Sequence, residues 1–200
     1  MSANGKVCTG FSKPYVAVYS NTGTTVSYSK GQVLARGVSV SLKANTSDDN
    51  KFYADNMEAE NEKGTFKDGE ITLVVDGLLE GAERLIMGLP EAGADGLIPY
   101  DDDQRIPYVA IGYIARYQSE GVESYVPVVI PKCAFGQISS DHKTQEEGVD
   151  WQTQELTATI HRDDSLKHAW KYVGNECETE VAAEAIIKTK LAISGIQGGA

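Results

Sequence analysis

Short segments in which apolar and polar residues alternate recur along most of this 200-residue chain. A period of two is typical of a β-strand that buries one face and exposes the other. Turn-forming residues such as Asn, Asp and Gly separate the segments, so the pattern predicts consecutive strands joined by short turns. The predicted strands are residues 14–20, 24–29, 36–43, 70–76, 108–118, 122–130, 133–139 and 151–161.

Two prolines, Pro127 and Pro131, lie within and just after the predicted strand at residues 122–130. Proline has no backbone N–H and removes one hydrogen bond from a sheet. We therefore expect this strand to lie at an edge of the sheet or to bend there.

Only two segments have a helical pattern. Residues 79–87 place several apolar side chains on one helical face and end before Gly88, which is a common residue after a helix. Residues 178–192 carry acids in the first turn and lysines near the end, as the helix dipole favours. The sequence thus predicts a mainly β fold in one domain, residues 1–200, with one flanking helix and a C-terminal helical extension at residues 178–200.

The charge of the chain restricts its partners. Asp and Glu outnumber Lys and Arg by 29 to 18, which gives a formal net charge of −11. A field of that sign opposes tight binding to nucleic acid phosphates. The longest apolar runs, such as residues 125–131, are too short to span a membrane, and the N-terminal residues do not resemble a signal peptide. These features predict a soluble protein made in the cytoplasm, with no membrane partner.

The residue types that usually carry chemistry are scattered. Cys8, Cys133 and Cys177 lie far apart, and no two of the three histidines and three cysteines have the short spacing of a local zinc motif. We therefore expect free thiols, and no catalytic residues, no cofactor and no metal site.

Three glutamates, Glu58, Glu60 and Glu62, alternate with other residues in an acidic segment. If the segment is extended, strand periodicity places all three on one face. Two interpretations remain open at this point. The row could be a solvated edge strand whose like charges prevent aggregation, or a surface that repels a passing polyanion.

The order of several segments resembles the major tail protein of long non-contractile-tailed bacteriophages, which polymerises into the tail tube. Tube proteins of contractile tails and of the type VI secretion system are more distant relatives of the same architecture. Each string is weak alone, but their order and spacing together carry the resemblance. The matching pieces are YADN at residues 53–56, GEITLVVD at 69–76, a helix at 79–88, PYVAIGY at 107–113, YVPVVIPK at 125–132, TQELTAT at 153–159 and WK at 170–171.

This resemblance implies a β-sandwich or incomplete β-barrel that assembles into hexameric rings, which stack into a tube for genome ejection. The expected location is the virion, after synthesis and assembly in the host cytoplasm. The expected partners are other copies of the chain, the tape-measure protein, the tail terminator and the distal tail proteins. Double-stranded DNA would pass through the tube without specific binding.

The resemblance also suggests roles for two groups of residues. Glu58, Glu60 and Glu62 are candidates for the lumen face, where negative charge would let DNA slide. Long loops that order on assembly are expected at residues 45–56 and 140–150. The candidate ring-stacking loop consists of Asn45, Thr46, Ser47, Asp48, Asp49, Asn50 and Lys51.

Two other classes of function fit the composition. A soluble β-sandwich ligand-binding module, carbohydrate-binding or adhesin-like, could use Trp151, Trp170 and the ten tyrosines as platforms. A small hydrolase would need a pocket that contains a Cys, His or Asp with a perturbed pKa.

Overall fold

Ten strands and two helices follow one another in the computed structural model, which describes residues 5–140, 144 and 151–193. The first part of the chain forms β1 (Val7–Thr22), β2 (Thr25–Val33), β3 (Gly37–Thr46), β4 (Asn50–Ala54), β5 (Met57–Glu62), β6 (Phe66–Val75) and helix α1 (Glu80–Met87). The second part forms β7 (Val109–Ser119), β8 (Val122–Phe135), β9 (Gln154–Ile160), β10 (Tyr172–Val173) and helix α2 (Glu180–Lys190).

One antiparallel sheet contains every strand except β4 and β5. Its order is β2-β1-β7-β8-β9-β6-β3, and β10 also pairs with β8. The sheet curls so that β3 contacts β1, and the ring of Phe11 fills the space beside Gly37. The predicted fold class, a β-sandwich or incomplete β-barrel with two helices, is confirmed.

The two helices cover opposite faces of the sheet. On one face, Ala82, Ile86 and Met87 of α1 are fully buried in the main core with side chains from β1, β6, β7, β8 and β9. On the other face, α2 buries Ala183 and Ile187 against β1, β7 and β8. Both faces of the central strands are therefore buried, which explains the nearly continuous apolar run of β7.

The two predicted helices are confirmed, with ends close to those expected, while residues 194–200 of the expected C-terminal extension lie outside the described residues. Helix α1 ends at Gly88, whose φ of 66° lies in the left-handed region that glycine tolerates. Helix α2 begins after Thr179, whose side chain accepts a hydrogen bond from the backbone N–H of Ala182.

Two strands expected from the sequence are one strand, β8, and of the two alternatives expected for its prolines, an edge position or a bend, the structure shows the bend. The predicted strands 122–130 and 133–139 are one strand, and it lies in the centre of the sheet between β7 on one side and β9 and β10 on the other. Pro127 is tolerated because its backbone faces the segment after β10, where its carbonyl accepts from Gly174 N–H. The register with β7 shifts next to Pro131, between the pairs at Ile130 and Cys133, so the expected bend is present there.

Candidate assembly surface

A two-stranded hairpin, which we call the arm, extends from the sheet between β3 and β6. It consists of β4 and β5, which pair with each other in a separate sheet, and every residue of both strands is exposed. Its tip is Asp55-Asn56, with φ angles of 51° and 61°. This pair of left-handed residues is typical of a two-residue type I′ turn, whose twist matches that of antiparallel strands.

Apolar side chains on the arm are much more exposed than a single chain would favour. The exposed fractions are 62% for Phe52, 58% for Tyr53 and 71% for Met57. Three large apolar residues this exposed on one short hairpin are typical of an interaction surface. These three residues were not predicted from the sequence as an exposed group, although the segment KFYADNM contains them within seven residues.

The base of the arm is held by polar contacts between its two ends. The backbone N–H of Ser47 donates to Thr65 O at 2.8 Å, and Thr65 N–H donates to the Ser47 hydroxyl at 3.1 Å. The Asp49 carboxylate accepts from Lys63 at 2.5 Å and from Gly64 N–H at 3.0 Å. These bonds from Lys63 and Gly64 hold the pKa of Asp49 below its usual value.

Gly64 permits this close approach. A Cβ atom at that position would lie 1.7 Å from the carbonyl oxygen of Ser47. No side chain can be accommodated at that distance unless the backbone moves, so the two ends of the arm require glycine here.

Three alternate glutamates lie on one face only if the strand is regular, but the pairing of β4 with β5 is irregular. Phe52 pairs with Glu60 and the next residue, Tyr53, pairs with Glu58, so Ala59 is an extra residue in a bulge. Adjacent strand residues point to opposite faces, and cross-strand partners point to the same face. Glu58 therefore lies on the opposite face from Glu60 and Glu62, and the prediction of one row of three glutamates was wrong.

The two faces of the arm differ in charge. On one face, Lys51 Nζ forms an ion pair with Glu58 at 2.9 Å. The other face, which we call the acidic face, has carboxylates with no ion-pair partner among the residues the structure describes. The acidic face consists of Phe52, Met57, Glu60 and Glu62.

The predicted loop at residues 45–51 is mostly strand. Asn45 and Thr46 end β3, and Asn50 and Lys51 begin β4, so only Ser47, Asp48 and Asp49 lie outside strands. The segment is part of the arm rather than a loop of its own. Of the second expected loop, at residues 140–150, all but Ser140 and Thr144 lie outside the described residues.

The three cysteines are free. Cys133 is fully buried, its thiol donates to Val109 O at 3.2 Å, and burial raises the pKa of this thiol. A buried, protonated thiol is a poor nucleophile. Cys8 is exposed and Cys177 is half-buried.

Two histidines occupy structural positions. The His161 ring packs edge-on against Tyr108, and His168 Nδ1 lies 3.2 Å from Asp163 O. His142 lies outside the described residues. Within the part of the chain that is described, no three His, Cys, Asp or Glu side chains converge in a way that could hold a metal ion.

The two tryptophans have different environments. Trp170 stacks in parallel on Phe66, with ring centroids 4.4 Å apart, so one of its faces is covered. Trp151 is 87% exposed. Of the two tryptophans suggested as platforms for a sugar, Trp151 therefore has the more accessible ring.

No protein-family model matches this chain, and no curated protein matches it. None of the helices in the described segments combines the length and apolar character needed to cross a membrane.

Proposed function

We propose that this protein is a structural subunit of a phage tail tube, which polymerises as stacked hexameric rings around a conduit for genome ejection. In this proposal the chain has no catalytic role and acts in the virion. Its partners are other copies of itself, the tape-measure protein, the tail terminator and the distal tail proteins. DNA passes through the conduit without being bound.

The exposed arm is the observation that carries the proposal. It projects two aromatic side chains and a methionine, Phe52, Tyr53 and Met57, into solvent from a hairpin whose strand residues are all exposed. Removing such side chains from water favours association by roughly 25 cal/mol for each Å² buried. A subunit that reaches onto a neighbour by a hairpin would bury this surface.

The charge of the protein supports a conduit. At −11 per chain, a ring of six would carry a large negative charge. Phosphates would then be repelled from the inner wall instead of forming the counterion-releasing contacts that hold DNA on basic proteins.

Negative-stain electron microscopy of the purified chain at rising concentration tests the proposal. We expect six-fold rings and tubes with a uniform central channel. A chain that remains monomeric at every concentration, by microscopy and by analytical ultracentrifugation, would contradict it.

The exposed Trp151 favours a second candidate, a soluble carbohydrate-binding or adhesin-like module. Glycan binding by the wild type that is lost in Trp151→Ala, in a chain that forms no rings, would support this candidate instead.

A further inference from the structure

A groove of about 690 Å³ lies beside α1, on the side where the helix meets the end of β2. Its apolar wall includes Leu85 and Leu89 from the helix region and Pro107 from the segment that leads into β7. A phenylalanine or methionine side chain from another molecule would find both space and apolar contacts there.

The rim of the groove is basic, although the protein as a whole is acidic. Lys30, Arg84 and Arg105 line it, and Glu91 is the acidic residue among the lining side chains. Lys30 and Arg105 are exposed, and the hydrogen bonds of the Arg105 side chain within the described residues go to two backbone carbonyls, those of Asp102 and Gln104. Both residues therefore keep a positive charge that no carboxylate in the described part of the chain neutralises.

Arg84 has both satisfied and unsatisfied polar atoms. Its guanidinium lies 3.6 Å from Glu80 and 3.4 Å from Glu91, whose side chain is 89% exposed. Its Nε is buried and has no hydrogen-bond acceptor within the described structure. The Arg84 side chain is 27% exposed, so a carboxylate that enters the groove would pair with the accessible part of the guanidinium and not with Nε.

The acidic face of the arm has the complementary chemistry. Phe52 and Met57 supply apolar side chains, and Glu60 and Glu62 supply carboxylates that have no ion-pair partner among the described residues. The acidic face therefore has apolar side chains that match the apolar wall of the groove, and carboxylates whose charge is opposite to that of its rim.

We propose that the groove lined by Lys30, Arg84 and Arg105 receives the acidic face of the arm from a second copy of this chain. This inference rests on the proposed function and adds the receiving site to it. Phe52 lies against Leu85 and Leu89, and Glu60 and Glu62 pair with the basic rim. The contact is between molecules because every residue of the arm is exposed within its own chain.

A head-to-tail contact of this type uses two different surfaces of each subunit. Such a contact can repeat from copy to copy unless its rotation closes into a ring, because each bound copy presents a free arm and a free groove. It therefore suits a tube, which must lengthen, better than a closed dimer.

Two charge-reversal variants of the full chain test the pairing. The first carries Glu60→Lys and Glu62→Lys on the arm, and the second carries Lys30→Glu and Arg105→Glu at the groove. Arg84 is left unchanged because its ion pairs hold α1. A control with Lys43→Glu and Lys167→Glu, both exposed lysines outside the two surfaces, has the same change in net charge as the groove variant.

We expect each variant alone to lose tube formation at least tenfold, measured by pelleting and electron microscopy, and the control to assemble as the wild type does. An equimolar mixture of the two variants should recover assembly, since each reversed arm then meets a reversed groove. Recovery that disappears at high salt would further support the pairing.

The other outcomes separate the two proposals. Normal tubes from each variant alone would overturn the arm–groove contact and leave the tube proposal standing. Loss in each variant without recovery in the mixture would show that the two surfaces do not bind each other, which also overturns it. Absence of any oligomer in the wild type would overturn both proposals.

Discussion

The hydroxyl of Tyr15 donates a hydrogen bond of 2.6 Å to the Glu184 carboxylate, and this bond joins strand β1 to helix α2. Glu184 also accepts from Lys13 and lies 2.6 Å from Lys188 one turn along the helix. Lys13 is placed there by an irregularity in β1, where the register with β7 shifts between Ser12 and Tyr15. Lys13, which forms an ion pair with the C-terminal helix, thus lies at an irregularity in the pairing of β1 with β7.

This cluster predicts a dependence of stability on pH. Burial raises the pKa of Glu184, but the hydrogen bonds from Lys13, Lys188 and Tyr15 outweigh that effect and lower it to about 2. Because the pKa is lower in the folded state than the unfolded value of 4.5, the contribution is present above pH 4.5. It is lost as the pH falls from there towards 2. Thermal unfolding between pH 7 and pH 2.5 should show this loss in the wild type, and a weaker pH dependence in Glu184→Gln.

Gly112 should be essential for the packing of α2 on β7. A Cβ atom there would lie 2.4 Å from Ile187 Cγ2 and 3.1 Å from Leu191 Cδ1. We expect Gly112→Ala to lower the free energy of unfolding by about 1–3 kcal/mol, measured by urea denaturation. Gly136→Ala is the control, since its Cβ would meet only Thr157 O at an ordinary 3.8 Å. Equal stability of the two variants would contradict the close packing at Gly112.

The thiols should react in the order of their exposure. In native protein, a maleimide reagent should label Cys8 rapidly and Cys177 more slowly, while Cys133 should react only after unfolding. Replacing all three by Ser or Ala should leave tube formation intact. The cost in stability should be roughly 1–3 kcal/mol, from the cavity and the lost thiol contact at Cys133. Labelling of Cys133 in the folded protein would contradict its burial.

Removal of the arm should separate stability from assembly. The pairing of Ser47 with Thr65 leaves a frame that a two-residue turn can close, so Asn-Gly can replace residues 48–64. We expect the midpoint of thermal unfolding to change little, because the arm buries no side chain, and tube formation to stop. Tubes of normal length from this variant would show that the arm does not carry the contact between subunits.

The bulge at Ala59 allows the two faces of the arm to be tested separately for a role in the lumen. Glu58→Lys changes the face opposite Glu60 and Glu62, so we expect it to leave assembly intact. If Glu58 faces the DNA path, six new lysines per ring should slow genome ejection, and high salt should restore the rate. Phage particles carrying the variant allow this measurement by timed DNA release. An ejection rate that equals the wild type's at low salt would show that Glu58 does not face the lumen.

The strands and helices of the core could be predicted from the sequence because burial imposes a period on them. In β9, for example, Leu156, Ala158 and Ile160 are buried and alternate with exposed residues. Strand β10 was not predicted, since two residues, Tyr172 and Val173, are too few to show a period. The centre position of β8 depends on where β10 returns to the sheet, which local sequence does not reveal.

The arm was hard to predict for a related reason. Both faces of β4 and β5 are exposed, so no alternation of buried and exposed residues marks them. The bulge at Ala59 follows from a register shift between the two strands, and periodicity within β5 alone predicts the opposite arrangement of Glu58. The basic groove was also missed, because Lys30, Arg84 and Arg105 come from three distant parts of the chain.

The contacts at the base of the arm have a consequence for how subunits would join. Asp49 and Gly64 fasten the two ends of the hairpin to each other before any neighbour is present. A second copy would therefore meet a pre-organised surface, and little conformational entropy would be lost on docking. The direction in which the arm leaves the sheet would also set the angle between successive subunits, so that a single glycine near the base could govern the helical pitch of an entire filament.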